Sequence, residues 1–327
     1  MNHTTKLCTA TALALGVLPA GTLTAQESWP TEPVHVIVPY SAGGNNDRIA
    51  RTLSEPMSEA LGQPIVVENR AGAGGTIATG EVAKADPDGY TVVMCEIGTM
   101  GINPHVYANL TYDPLEDFEP VIQITSVPLV LGIGPSLEIE TIEEFLEVAR
   151  SGDRELNYAS SGVGSAQHLA FEYFKQLAGI EALHIPYNGA APARTALISG
   201  EVDAFIDGTL IPSIEDGQVT PLAVTSDSRV DALPDVPTME ESGVEGMVYT
   251  AWHGFCVPDG TDAAIVSKLN AATREAMSKP DVQERFAALN IGLVGESAEH
   301  FKSFIESESK KLSDLVEQAG AAQQKQQ

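Results

Sequence analysis

A chain of 327 residues with 43% hydrophobic and 19% charged residues suits two globular domains and excludes a largely disordered protein. Its 45 acids against 18 Lys and Arg give a net charge of −27, which argues against nucleic acid or an anionic membrane surface as partner. An anionic ligand would be repelled at long range, so any anion site must work through short-range, locally positive groups.

Residues 1–25 read as a secretory signal peptide. Lys6 supplies the positive start, 11–18 is a short apolar run, and Leu23-Thr24-Ala25 places cleavage after Ala25. The apolar run is too short to span a bilayer, and Cys8 precedes it, where it is not placed for lipid attachment. The mature protein is therefore expected outside the cytoplasm.

Past that segment, short β-branched runs alternate with helical stretches. Residues 34–39 (VHVIVP) read as a strand, followed by a loop over 40–46 and a helix over 47–61. Ile49, Leu53, Met57 and Leu61 recur every four residues as one apolar stripe. Pro56 is expected to bend or interrupt that helix, and Gly62 fits its end. A strand over 64–68, a glycine turn over 72–76, a helix over 76–85, a turn at Pro87-Asp88-Gly89 and a strand over 90–95 continue the alternation. Such alternation predicts a mostly parallel sheet with helices on its faces.

Residues 127–134 (VPLVLGIG) read as a strand crossing into a second domain. There, a helix over 141–150 opens on a capping-box pattern, Thr141 with Glu144. A strand over 156–158, a small-residue loop over 159–165 and a helix over 166–177 follow, with Leu169, Tyr173 and Leu177 on one face. Strands over 183–186, 202–206 and 219–225 alternate with helices over 191–199 and 211–215. Residues 251–257 read as the return crossing. Helices over 263–278, 281–290 and 298–319 complete the pattern, the last packing on the first domain, before an Ala/Gln-rich tail expected to fray over 320–327. The expected organisation is a signal peptide 1–25, a first domain of 26–127 plus 251–327, and a second domain of 128–250. Two α/β lobes joined by two crossings enclose a cleft, a favoured place for a small ligand.

Cys95 and Cys256 both lie in apolar strand-like runs, which favours buried free thiols; a bridge stays open, because the sequence does not give their Cα separation. There is no CxxC and no Cys/His cluster at zinc spacing, so no metal is expected.

Three loops share one architecture: each follows a strand, is rich in Gly, Ser or Asn, and opens a helix. They are Tyr40-Ser41-Ala42-Gly43-Gly44-Asn45-Asn46-Asp47, Ser160-Ser161-Gly162-Val163-Gly164-Ser165 and Tyr187-Asn188-Gly189-Ala190-Ala191. Glycines let backbone N–H groups approach a ligand, and helix N-termini carry unpaired N–H groups that suit a carboxylate. Each terminus contributes roughly 0.3–1 kcal/mol when exposed and up to about 2 kcal/mol when partly buried. Tight βα turns would use the same residue types, but three such loops together favour a site.

Other chemistries fit less well. Gly72-Ala73-Gly74-Gly75 lacks the third glycine of a dinucleotide fingerprint, since Ile77 stands there, so it reads as a structural turn and no cofactor is expected. Ser165 and His168 share a helical face, but no GxSxG elbow is present. His168 then reads as a loop-bracing histidine and Asp47 as a first-turn acid. Arg194 is the cation of the helix after the third loop, where it meets either a second ligand carboxylate or an exposed acid. Asp207 follows a strand and either accepts a hydrogen bond from the ligand or orders its own turn.

The chain resembles the extracytoplasmic solute receptors of tripartite tricarboxylate transporters, the Bug or TctC family. The resemblance rests on VPYSAGGNNDRIAR at 38–51, VVENRAGAGG at 66–75, VAKADPDGYTV at 82–92 and NPHVYANLTYDPLEDFEPV at 103–121. It continues in YASSGVGSAQHLA at 158–170, HIPYNGAAPA at 184–193, LAVTSDSR at 222–229 and LPDVPTMEESG at 233–243. What it implies is a periplasmic binding-protein fold (type II-like) of two α/β domains with a two-strand hinge. The ligand carboxylate would sit between loops of both lobes, partly through ordered water. The matching loops are those of Ser41 to Asn46 and of Ser160, Ser161, Gly162, Gly164 and Ser165, with Tyr187 and Gly189 beside them. Specificity would fall to Tyr40, Gly98, Thr99, Met100, Asp207 and Thr209. Met100-Gly101 stands where many relatives carry small polar residues, which favours a ligand with an apolar part.

The expected function is capture of a mono-, di- or tricarboxylate, possibly aromatic, and its delivery to membrane permease subunits; the protein is not expected to be an enzyme. A monomer is the default for a cleft-closing receptor. The competing functions are a sensor that presents the same bound cleft to a signalling partner and a secreted Ser165/His168 hydrolase.

Overall fold

The computed structural model describes Met1 and residues 29–319; the signal segment after Met1, its expected cleavage point and the tail 320–327 lie outside the described residues. In chain order the elements are β1 (Val34–Val38), α1 (Asn45–Leu61), β2 (Ile65–Asn69), α2 (Thr76–Val82), β3 (Thr91–Glu96), a π-helical turn (Ile97–Ile102), α3 (Asn103–Val106) and β4 (Phe118–Pro128). Then come β5 (Val130–Ile133), α4 (Ile142–Ser151), β6 (Asn157–Ser160), α5 (Ala166–Ala178), β7 (Leu183–Pro186), α6 (Ala190–Ser199), β8 (Ala204–Asp207), α7 (Ile211–Glu215) and β9 (Thr220–Val224). The chain returns through β10 (Thr250–Pro258) to α8 (Ala263–Ser278), α9 (Pro280–Ala288), β11 (Gly292–Leu293) and α10 (Ala298–Gln318).

Two sheets result, ordered β11-β4-β10-β3-β1-β2 and β7-β6-β8-β5-β9. The expectation of mostly parallel sheets is corrected: both are mixed. β2, β1 and β3 are parallel, while β10 runs antiparallel to β3 and β4. Likewise β7, β6 and β8 are parallel, while β5 runs antiparallel to β8 and β9. The reason is topological. One strand must leave the first sheet and another must return to it, so β4 and β10 lie side by side in opposite directions.

The run expected as one strand over 127–134 is two strands in two sheets, with Leu129 between them. Thr225 ties the crossings together: its Oγ accepts the Leu129 N–H at 2.9 Å and donates to the Tyr249 carbonyl at 2.6 Å.

Strand alternation sets the cores. Val34, Val36 and Val38 face one side of β1 and pack with α1 and α8, whereas Ile37 faces the other. The α1 stripe is buried as its spacing requires, with Ile49 and Leu53 fully buried and Leu61 7% exposed. Burial of each such side chain is worth about 1.5–3 kcal/mol. Pro56 does not interrupt the helix, which runs 17 residues through it. Pro56 removes one hydrogen bond, and the packed stripe on either side outweighs that loss.

In α5, the expected face is displaced. Leu169 is buried, but Leu177 is 38% exposed, and Phe171, Phe174 and Ala178 form the buried side. The two phenylalanines bring more apolar area to the core than Tyr173 and Leu177 would. α10 packs on β4 and the π-helical turn, as expected of the first domain, and also touches α5.

The cysteine reading is corrected. Cys95 and Cys256 form a disulfide across β3 and β10, with Cα atoms 5.8 Å apart. Only the antiparallel return of β10 beside β3 brings residues 161 positions apart within reach.

Candidate functional site

The strand ends of both sheets converge on one cavity. It is small, with a volume of about 20 Å³. The first sheet's side contributes Tyr40, Gly44, Asn45, Asn46 and Glu96; the second side contributes Ser161, Ala166, Gln167 and Ala190. The crossings supply Leu129, Ala251 and His253 as its apolar and aromatic floor.

The three loops are brought together. The Ser41 N–H donates to the Asn188 carbonyl at 3.1 Å, joining the first loop to the third. A Cβ added at Gly189, whose φ is +141°, would stand 2.3 Å from Ser41 Oγ, so only glycine permits this approach. The second loop meets the Gly72–Gly75 turn, which sequence reasoning set aside as structural. A Cβ at Gly74 would stand 2.0 Å from the Val163 carbonyl oxygen, and the Tyr107 hydroxyl donates to that oxygen at 2.9 Å.

The polar groups facing this junction are uneven in their partners. Ser41 Oγ and Ser161 Oγ, from opposite sides, are buried without a hydrogen-bond partner, as is Asn46 Oδ1. A buried polar atom left unpaired is costly and calls for a partner. No side chain caps α1, whose N-cap is Gly44, or α6, whose N-cap is Gly189. Their first-turn N–H groups keep their hydrogen-bonding capacity and their partial positive charge. By contrast, the Gly43 N–H is spent on Asp47 Oδ2 at 2.9 Å, and Asp47 also receives Arg51 Nε at 2.8 Å. Ala42 is exposed outside the cavity wall.

Other residues singled out from sequence lie behind the wall. Ser165 Oγ caps α5 by accepting the His168 N–H, and the His168 ring accepts the Gly164 N–H on Nδ1 at 3.3 Å. That arrangement leaves no Ser165-to-imidazole hydrogen bond of the kind a nucleophile needs. His168 stacks on His184 at 4.3 Å, and Ser160 Oγ pairs with His184 Nε2 at 2.6 Å while also accepting the Gly162 N–H. Burial lowers the two imidazoles to about 4 and about 3, so both are neutral at pH 7. The stack is a brace under the second loop. Gly162 faces the Gly74 backbone.

Gly98 and Thr99 donate their N–H groups to Glu96 at 2.7 Å each, and Met100 is wholly buried in the core. Tyr187 donates its hydroxyl to Glu201. Asp207 accepts Thr209 N–H at 2.7 Å and Gln167 Nε2 at 2.6 Å, so it orders its own turn and holds a cavity residue. Arg194 Nη1 donates to Thr209 Oγ at 2.9 Å and does not line the cavity.

Sequence reasoning missed Glu96, Gln167, Leu129 and His253 in the wall. Glu96 had a signal, an acid ending an apolar strand before Gly98. It accepts three hydrogen bonds, from the Gly98 and Thr99 N–H groups and the Tyr40 hydroxyl; burial pushes its carboxyl above the usual range and those donors pull it back. His253 is buried on β10 with Nδ1 2.9 Å from Thr125 Oγ, and burial lowers it to about 3.

Among the described residues, no helix is long and apolar enough to cross a membrane. A family model described as "Tripartite tricarboxylate transporter family receptor" matches residues 49–321. The chain is similar to the periplasmic binding protein BugD, with 36% identity over 90% of this chain and 99% of that one and a TM-score of 0.86. It is also similar to two Rhodopseudomonas palustris proteins. One, solved with adipate, is 35% identical over 89% of this chain and 98% of that one, at a TM-score of 0.86. The other, MatC with bound malate, is 33% identical over 88% of this chain and 100% of that one, at 0.85.

Proposed function

Because the chain belongs to the tripartite tricarboxylate transporter receptor family, we propose that it captures a small carboxylate between two lobes and delivers it to the membrane subunits of such a transporter. The lobes are 26–127 with 251–327, and 128–250, hinged where Thr225 joins the crossings. Secretion through residues 1–25 places it in the periplasm, where it acts as a monomer and binds without transforming its ligand.

The observation that carries this reading is the pair of unpartnered polar side chains, Asn46 and Ser161, facing one cavity from opposite sides beside the uncapped starts of α1 and α6. A carboxylate has enough lone pairs to accept from both lobes at once. Its binding thus links cleft closure to occupancy. The net charge of −27 is no obstacle, because the attraction comes from main-chain dipoles at contact distance. Adipate and malate in similar structures support a carboxylate ligand.

The test is a thermal-shift screen of mono-, di- and tricarboxylates on the mature chain, followed by calorimetry. Binding should stabilise the folded chain by about 2.7 kcal/mol at a hundredfold excess over Kd and so raise the melting temperature. Asn46→Ala and Ser161→Ala should each weaken it. No shift by any carboxylate at millimolar concentration would refute the reading. Loss of uptake of the same compound from cells lacking the chain tests delivery.

A further inference from the structure

The charge of the cavity wall restricts the ligand beyond its carboxylate. Among the described residues lining the cavity there is one acid, Glu96, and no Lys or Arg. Glu96 is 3% exposed and accepts the Gly98 and Thr99 N–H groups, donors that favour its ionised form against the burial that opposes it. Beside it in the same wall stands His253, 4% exposed, with Nδ1 engaged to Thr125 and no ion pair. Arg194, on the second side, is held by Thr209 and lies outside the lining.

One ligand carboxylate is matched by the helix starts and the Ser161 hydroxyl. A second would lie in a low-dielectric cavity against Glu96 without a counter-ion. A desolvated like charge of this kind acts as a repulsive selector. A hydrogen-bond donor at the same place would instead meet an acceptor with unused capacity.

We propose that this cleft selects a carboxylate whose other polar group donates hydrogen bonds, an amino, amide or hydroxyl group, and rejects a second ionised carboxylate, with Glu96 as the selecting residue. The inference rests on the carboxylate-receptor reading and narrows it. It also separates this chain from its dicarboxylate-bound structural neighbours.

Glu96 also caps the π-helical turn, so stability alone does not test a selecting role; the ratio of affinities does. Calorimetry at pH 7 on the mature chain compares matched probes on two skeletons. Succinate is set against 4-aminobutanoate and 4-hydroxybutanoate, and terephthalate against 4-aminobenzoate and 4-hydroxybenzoate. On at least one skeleton, the donor-bearing probe should bind at least about tenfold tighter than its dicarboxylate. In Glu96→Gln, which keeps a capping oxygen but loses the charge, that ratio should collapse toward unity. If the variant does not fold, the wild-type ratio decides. A dicarboxylate that binds as tightly as its donor-bearing partners overturns the inference and leaves the receptor reading standing. Failure of every probe, together with an empty thermal-shift screen, overturns both.

Discussion

Replacing Gly74 by alanine should weaken ligand binding from outside the cavity. Gly74 sits at φ 61°, ψ 27°, so alanine there costs roughly 1–2 kcal/mol in backbone strain. The new methyl carbon would also stand 2.0 Å from the Val163 carbonyl oxygen on the second side. Ordinary contact begins at about 3.5 Å, so the facing loop must retreat by about 1.5 Å. That retreat breaks the 2.9 Å hydrogen bond from the Tyr107 hydroxyl to Val163 and parts the two sides where they meet. The unliganded protein should lose only a few degrees of melting temperature, whereas the closed form loses its contact. We expect Kd, by calorimetry with the carboxylate giving the largest thermal shift, to rise by about tenfold or more. Small-angle scattering should show a more open liganded state. An unchanged Kd would mean that the Gly74–Val163 contact is not part of closure and would refute the reasoning.

Thr225→Val should leave the Leu129 N–H and the Tyr249 carbonyl short of a partner; chemical denaturation should register a loss of about 1–3 kcal/mol, and no loss would remove Thr225 from the hinge. The double variant Cys95→Ala with Cys256→Ala opens a loop of 161 residues and should lower the melting temperature on the order of 10 °C, measured calorimetrically against wild type; equal temperatures would sink the estimate. His253, His184 and His168 are held neutral, at about 3, 3 and 4, by burial, so the unfolded chain binds more protons between about pH 6.5 and those values. Stability from these groups is therefore complete above about pH 6.5 and is lost as pH falls toward 3. His253→Gln should flatten the melting temperature against pH over that window, and an unaltered slope would contradict it.

The alternation of β-branched runs with amphipathic stretches determined α/β architecture, and the α1 stripe and the Thr141 capping box were legible because both depend on neighbours within two turns. The three glycine-rich loops were legible too, since a strand end feeding a helix start is a local pattern. The tertiary structure alone decided which of their atoms meet. Strand direction came from β4 leaving and β10 returning, and with it came the Cys95–Cys256 bridge. The same return placed His253 and Glu96 in one wall, although 157 positions hold them apart in the sequence. Gly74 looked like a turn residue because its partner, Val163, belongs to the other side of the cleft. Local periodicity reports burial along one element, whereas a cleft is made by elements whose encounter depends on how distant segments pack.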